Sequence, residues 1–241
     1  MLDSEPNMDT LNLVQLLSDR LGIELPPVGL AFVDSEPPDI PPLYRDPPSF
    51  CSLWRLAELR VFYASAEQHA GCGIGGMVSG FLSAEGREQE LAELLEEMCE
   101  ANVGTTEEIA DTPRFDKPGA GAVYGPLWKM PLDPDLALMW ATLPQMGVVQ
   151  EILGKVMWKN NPQGAAFTRP ACGVLPIAHQ HGKPALSLGC VGMSLYTGIP
   201  PHLFLIAIPL DHLPTLEKGL ESMTDAAARI EGYAARMAAG R

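Results

Sequence analysis

Two cysteine–glycine blocks constrain this chain more than any other feature of its sequence. In the first block Cys51 is followed 21 positions later by Cys72, and in the second Cys172 is followed 18 positions later by Cys190. Both second cysteines open a glycine-rich apolar run, CGIGGMVSGF or CVGMSLYTGI, with a glycine eight positions after the cysteine. This recurrence predicts two similar supersecondary units that pack face to face.

The length of 241 residues suits one compact domain, residues 1–241, that is large enough to bury a core. Short apolar runs such as VGLAFV, AVYGPL, DLALMWATL and HLFLIAIPL alternate with helical patterns. We therefore expect an α/β or α+β fold with a mixed sheet inside and helices outside. The pseudo-repeated halves would span roughly 27–110 and 120–210, followed by a C-terminal helix over 213–239 whose apolar seam could pack internally or form a homo-oligomer.

The charge balance limits the partners of the protein. With 30 acidic and 16 basic residues, the formal charge is −14, which repels phosphate backbones and anionic lipid surfaces. We expect no nucleic-acid and no membrane partner, since no apolar run approaches the roughly 20 residues of a membrane span. The acidic start MLDSEPNMDT lacks the pattern of a secretory signal. These features predict a cytoplasmic protein.

Four cysteines are the strongest candidates for chemistry. The chain has no CxxC, HExxH, GxSxG or P-loop signature, so a site must be assembled from residues far apart in sequence. Cys51, Cys72, Cys172 and Cys190 could supply four thiolates, which suit an iron–sulfur cluster or, as the alternative, zinc. Unrelated burial of these cysteines is also open, and Cys99, on an apolar helix stripe, has no counterpart in the repeat.

The first glycine run also contains a superficial dinucleotide-binding pattern. Gly71, Gly73 and Gly76 satisfy GxGxxG, but no clean strand ends directly before Gly71. The alternative is that these glycines allow the backbone to pass close to a packed neighbour or a ligand. We favour the alternative.

Histidines and arginines near the cysteines are secondary candidates. His69 stands three positions before Cys72, while His179 and His181 follow Cys172, and each could ligate a metal or donate a proton. Arg55 and Arg169 could bind an anionic substrate in this acidic protein. Solvent exposure for the histidine pair and ordinary salt bridging for the arginines are the alternatives.

Several short motifs in order carry a family resemblance. With PVGLAF, CSLWRLA, GCGIGG, VYGPL, ACG and SLGC present, the chain resembles the domain-of-unknown-function 169 family, uncharacterised archaeal-type cysteine-rich proteins, from about Pro27 to Pro209. The resemblance implies that the cysteines belong to a shared pattern, which favours the metal hypothesis over simple burial. It supplies no reaction and no substrate.

Three hypotheses of function remain at this point. The first is an iron–sulfur protein with a redox role on a small-molecule substrate or an electron-transfer partner. The second is an enzyme in which Cys72 or Cys190 is a nucleophile assisted by His69 or His179. The third is a non-catalytic module that binds a ligand or partner through the cleft between the halves and the C-terminal helix. Whether the protein is an enzyme stays open.

Overall fold

In the part of the chain that the structure describes, six strands form one sheet and helices cover both of its faces. The structure is a computed structural model, and it describes residues 8–69, 71–81, 88–100, 113–115, 119–154 and 170–239. The strands are β1 (Val28–Val33), β2 (Phe62–Ser65), β3 (Gly121–Pro126), β4 (Leu136–Ala141), β5 (Ala185–Ser187) and β6 (Phe204–Pro209). The helices are α1 (Met8–Leu21), α2 (Phe50–Ala57), α3 (Gly73–Val78), α4 (Glu88–Glu100), α5 (Leu143–Leu153), α6 (Val174–His181), α7 (Val191–Thr197) and α8 (Leu213–Ala239).

The sheet separates two buried cores. Along β4 successive side chains point to opposite faces, as the strand geometry requires. Leu136, Leu138 and Trp140 join a core covered by α2, α3, α6 and α7. Their neighbours Ala137, Met139 and Ala141 join a second core covered by α1, α5 and α8. The helices that carry the four candidate cysteines, or begin beside them, therefore all lie on one face of the sheet.

The expected single domain that contains both helices and strands is confirmed. The expected mixture of parallel and antiparallel strand pairs is wrong for the strands that the structure describes. The strand order is β2-β3-β1-β4-β6-β5, and each of these neighbouring pairs is antiparallel. Helical segments join β1 to β2 and β4 to β5, which suggests parallel crossovers. Those strands do run in the same direction, but β3 or β6 is inserted between them, so the arrangement is a split βαβ unit.

The order of elements recurs along the chain. A strand, a helix, an edge strand, a short helix and an inner strand follow one another in β1-α2-β2-α3-β3, with α4 inserted before β3, and again in β4-α6-β5-α7-β6, with α5 inserted after β4. In the sheet the two series lie side by side. Each has its own edge strand outermost, so β2 and β5 form the two edges of the sheet. The first series ends at Pro126, beyond the expected half boundary at 110. Descent of both series from one repeated unit stays a prediction.

The C-terminal helix has two differently placed parts. Leu213, Leu216 and Leu220 are buried in the second core, where α8 packs on α1 and α5. Tyr233 and Met237 are exposed near its end. The apolar seam thus packs internally over its first turns, and association of two copies through the rest stays a prediction. No helix within the described ranges is long and apolar enough to cross a membrane.

Candidate metal centre

Each of the four block cysteines lies where a helix begins. Cys51 is the second residue of α2, while Cys72 and Cys190 are the N-cap residues of α3 and α7. Cys172 lies in the 3-10 turn Ala171–Gly173 that leads directly into α6. Helix starts expose backbone N–H groups without intrahelical acceptors, and these favour negative charge. At Cys190 such an N–H, that of Met193, donates to the sulfur, whereas the Cys72 side chain makes no cap hydrogen bond.

The first cysteine is held by the cap of its helix. Ser49 closes a capping box with Ser52, accepting the Ser52 backbone N–H at 3.2 Å. The Ser49 hydroxyl oxygen also lies 3.2 Å from the Cys51 sulfur. Ser49 is completely buried. The sequence pattern SFCS thus fixes both where α2 begins and which hydroxyl the Cys51 thiol meets.

The glycines around Cys72 allow close packing, in agreement with the interpretation favoured above. A Cβ atom on Gly71 would lie 2.2 Å from the Pro47 carbonyl oxygen, and one on Gly75 would lie 2.6 Å from Phe50 Cβ. Phe50 begins α2, so Gly75 is what allows α3 to approach the helix that carries Cys51. Every strand pair between the described strands is antiparallel, whereas a dinucleotide-binding unit needs a parallel pair.

Replacing Gly75 by alanine is expected to destabilise the protein by about 1–3 kcal/mol, because the added methyl group overpacks the contact between α3 and α2. The clash is with Phe50 Cβ, so a backbone shift rather than a rotamer change must relieve it. Urea denaturation of the purified variant measures this. Gly192→Ala on α7 is the matched control, because its new Cβ would meet nothing nearer than the Tyr196 ring at 3.9 Å. Equal stability of the two variants would contradict the packing argument.

Cys190, in the second series of elements, is itself the cap of its helix. Its sulfur accepts the backbone N–H of Met193 at 3.4 Å, in the position of an N-cap acceptor. Gly189, the preceding residue, has a φ of +92°, which a residue with a side chain rarely adopts. Cys190 is half-buried, whereas Cys172 is buried. One thiol of this pair is therefore open to solvent and the other is not.

The structure brings the four thiols into one neighbourhood. Burial raises the pKa of Cys51 to about 11, opposed by the Ser49 hydrogen bond and reinforced by the Cys190 and Cys72 thiols. Burial also raises the pKa of Cys172 well above its usual range, and Cys190, Cys72 and Cys51 each add to this rise. Two cysteines repel each other in this way when both are charged thiolates, and the repulsion acts over roughly 10 Å at ordinary ionic strength. Cys51 and Cys172 are therefore neutral thiols at pH 7.

The thiols are neighbours without already forming a ligand shell. None of the five cysteines, all of which the structure describes, takes part in a disulfide. Within the described ranges no three His, Cys, Asp or Glu side chains are placed as a ready metal site. The role of Cys51, Cys72, Cys172 and Cys190 as ligands therefore stays a prediction. Cys99 lies apart in sequence on α4 and belongs to neither block.

The candidate histidines have other partners. His69 is fully buried, with Nδ1 2.7 Å from the Ser65 carbonyl oxygen and Nε2 2.7 Å from the Tyr124 hydroxyl. His179 packs edge-on against two phenylalanine rings and lies 3.9 Å from the Asp135 carboxylate. His181 is exposed at the end of α6. These contacts give His69 a structural role. Whether any of the three histidines also acts at the thiols stays a prediction.

Of the two candidate arginines, the structure describes Arg55. Arg55 donates to both carboxylate oxygens of Glu58, and the Trp140 indole N–H also donates to this carboxylate. Burial raises the pKa of Glu58, an effect that Arg55 opposes. The salt-bridge alternative therefore describes Arg55 in this structure. Arg169 lies outside the described residues.

Three features near the thiols were missed by sequence reasoning. Ser49 could have been recognised as a helix cap, since a serine three residues before a second serine opens the CSLWRLA helix. The Trp54 indole N–H is buried without an acceptor among the described residues, a fact that no sequence pattern reveals. An open groove of about 560 Å³ runs beside Cys190, lined by apolar Leu188, Val191 and Leu195 together with Ser194.

The comparisons with known proteins identify a family for this chain. The DUF169 family model, described as Uncharacterised ArCR, matches residues 16–219, a span that contains all four block cysteines. Neither a curated protein nor a solved structure matches the chain. Because the family model covers most of the chain, the resemblance inferred from its motifs is confirmed, and the protein belongs to the DUF169 family.

Proposed function

We propose that this protein is a cytoplasmic iron–sulfur protein that holds its cluster with Cys51, Cys72, Cys172 and Cys190. The cluster would serve redox chemistry on a small-molecule substrate or an electron-transfer partner, and zinc is the alternative metal. One observation carries the proposal: Cys51 and Cys172 lie in one buried cluster on one face of the sheet, and Cys72 and Cys190, each at another helix start, pack against that cluster.

The donor set suits this metal chemistry. Four thiolates without carboxylate or imidazole partners are typical of iron–sulfur clusters and structural zinc. Hydrogen-bond donors to sulfur, here the Ser49 hydroxyl and the Met193 backbone N–H, stabilise anionic ligands. A cluster spans more space than a single ion, so its thiolates need not converge as closely as those around zinc. When bound, a cluster of this type supplies one-electron transfer.

Removing any one of the four cysteines is expected to abolish or sharply reduce cluster retention. The test is anaerobic purification of the wild-type protein and of the Cys51→Ala, Cys72→Ala, Cys172→Ala and Cys190→Ala variants, followed by iron and acid-labile sulfide analysis. Loss of a thiolate ligand leaves the metal with an incomplete shell, so iron content should fall several-fold or more in each variant.

The fifth cysteine provides the control. Cys99→Ala should keep the iron and sulfide content of the wild-type protein, because Cys99 lies on α4 outside the two blocks. A wild-type protein free of iron and sulfide would refute the cluster. Zinc bound in a one-to-one ratio instead, and lost in the same four variants, would select the alternative metal.

A nucleophilic Cys190 is the second candidate function. Its thiol is half-buried, borders the open groove and accepts the Met193 backbone N–H. The proposed bases do not support it, since both nitrogens of His69 are engaged and His179 faces Asp135. The same variants distinguish the candidates, because a nucleophile requires Cys190 alone whereas a cluster requires all four cysteines.

A further inference from the structure

We propose that the Trp54 indole N–H is the hydrogen-bond donor that the protein reserves for the thiolate-held metal group. This inference rests on the proposed function, and it names the residue that would stabilise the charged sulfur from within the core. It is carried by an unpaired buried donor, by its position relative to Cys51, and by the contrast with a neighbouring tryptophan.

The unpaired donor is the first observation. Trp54 is completely buried, and its indole nitrogen has no hydrogen-bond partner among the described residues. A buried donor without an acceptor loses its hydrogen bond to water and gains none in return, and native proteins contain few of them. Such a cost is expected at a site where an acceptor is supplied by something the polypeptide does not itself contain.

The position of the indole is the second observation. Trp54 follows Cys51 by three residues on α2, which places the two side chains on the same face of the helix. Side chains on a helix lean toward its N-terminus, and the Trp54 ring lies 5.5 Å from the Phe50 ring, beside Cys51. Trp54, Cys51 and Cys172 belong to the same buried cluster, against which Cys72 and Cys190 also pack.

The proposed occupant is a strong hydrogen-bond acceptor, which the Trp54 indole N–H lacks among the described residues. A neutral thiol is a weak acceptor, whereas a metal-bound thiolate or an inorganic sulfide is anionic and accepts strongly. Metal binding requires deprotonated cysteines. The same indole N–H would therefore be unsatisfied before the metal group is bound and satisfied afterwards.

Trp140, in the same core, is a buried tryptophan whose indole N–H does have an acceptor. Its ring lies 6.1 Å from that of Trp54, and its N–H donates to the Glu58 carboxylate within the chain. Both tryptophans are buried to the same extent. Trp140 has an acceptor and Trp54 has none among the described residues, and this contrast makes them a useful pair for experiment.

The experiment compares Trp54→Phe with Trp140→Phe, each of which keeps an aromatic ring and removes the N–H. In metal-free protein both variants lose packing from the smaller ring, so Trp54→Phe should lower the unfolding midpoint less than Trp140→Phe does. Trp140→Phe should lower the midpoint, since the buried Glu58 loses a donor. In protein loaded anaerobically with iron and sulfide, Trp54→Phe should release iron to a chelator on the order of ten-fold faster than wild type. Trp140→Phe should release it at the wild-type rate.

The outcomes separate this inference from the proposed function. Wild-type release kinetics in loaded Trp54→Phe would overturn the inference and leave the cluster intact. Destabilisation of metal-free Trp54→Phe to the extent seen for Trp140→Phe would also overturn it, because the indole would then already have an acceptor. A wild-type protein that takes up no iron and sulfide would overturn both.

Discussion

Acidification from about pH 6.5 to pH 4 is expected to remove roughly 3 kcal/mol of unfolding free energy through His69 alone. Burial lowers the pKa of His69 from 6.5 to about 4 in the folded protein, while the Ser65 carbonyl weakly opposes this. Between pH 6.5 and pH 4 the unfolded chain therefore binds a proton at His69 that the folded protein does not bind. Each pKa unit corresponds to about 1.4 kcal/mol, so stability is complete above pH 6.5 and is lost as the pH falls toward 4.

The surroundings of His69 explain the direction of this effect. The Ser65 carbonyl can only accept, so Nδ1 carries the hydrogen of the neutral ring and Nε2 accepts from the Tyr124 hydroxyl. The rings of Phe50 and Phe81 pack against the imidazole. A protonated ring would lose its bond from the tyrosine hydroxyl and place a charge among apolar groups.

Urea denaturation at several pH values between 7 and 4 measures the effect. In His69→Gln the dependence on pH over this interval should be flatter than in wild type, because the amide does not titrate. His212→Gln, which replaces a half-buried histidine bound to the Gly182 carbonyl and leaves His69 in place, should keep the loss of stability that His69 causes. Glu58 is present in all three proteins, and its raised pKa acts with the opposite sign. Parallel profiles for wild type and His69→Gln would show that His69 is not the titrating group.

The fold was predictable in its components but not in the order of its strands. Continuous apolar runs locate β1 and β6, and helix signals locate α5 and α8. The insertion of β3 between β1 and β2 could not be read from sequence, because pairing partners depend on contacts between segments more than fifty residues apart. A sequence with helices between strands is compatible with both a parallel crossover and its split form.

The candidate site was predictable as a set of residue types. The recurrence of cysteine and glycine selects Cys51, Cys72, Cys172 and Cys190, and the structure places them at four helix starts. The histidines were weaker candidates because proximity in sequence does not specify side-chain direction. His69 lies near Cys72 along the chain, yet its ring is turned toward a tyrosine on β3.

Metal affinity is expected to rise about a hundred-fold for each unit of pH between 6 and 8 through Cys51 and Cys172 alone. Both thiols have raised pKa values, chiefly through burial, and that of Cys51 is about 11. Each must lose a proton to bind a metal ion, so each contributes roughly a factor of ten per pH unit while the pH is below its pKa. Zinc titration of reduced, metal-free protein against a competing chelator measures the slope.

Single variants assign this slope to individual residues. In Cys51→Ala the slope should fall by about one power of ten per pH unit, because one proton fewer is released, while Cys99→Ala should keep the wild-type slope. A slope near zero in wild type would mean that the two buried thiols are not ligands, whatever metal the protein contains. Since burial holds these thiols neutral, a metal bound by Cys51 and Cys172 would replace two protons in the core, and its uptake should be strongly suppressed in acid.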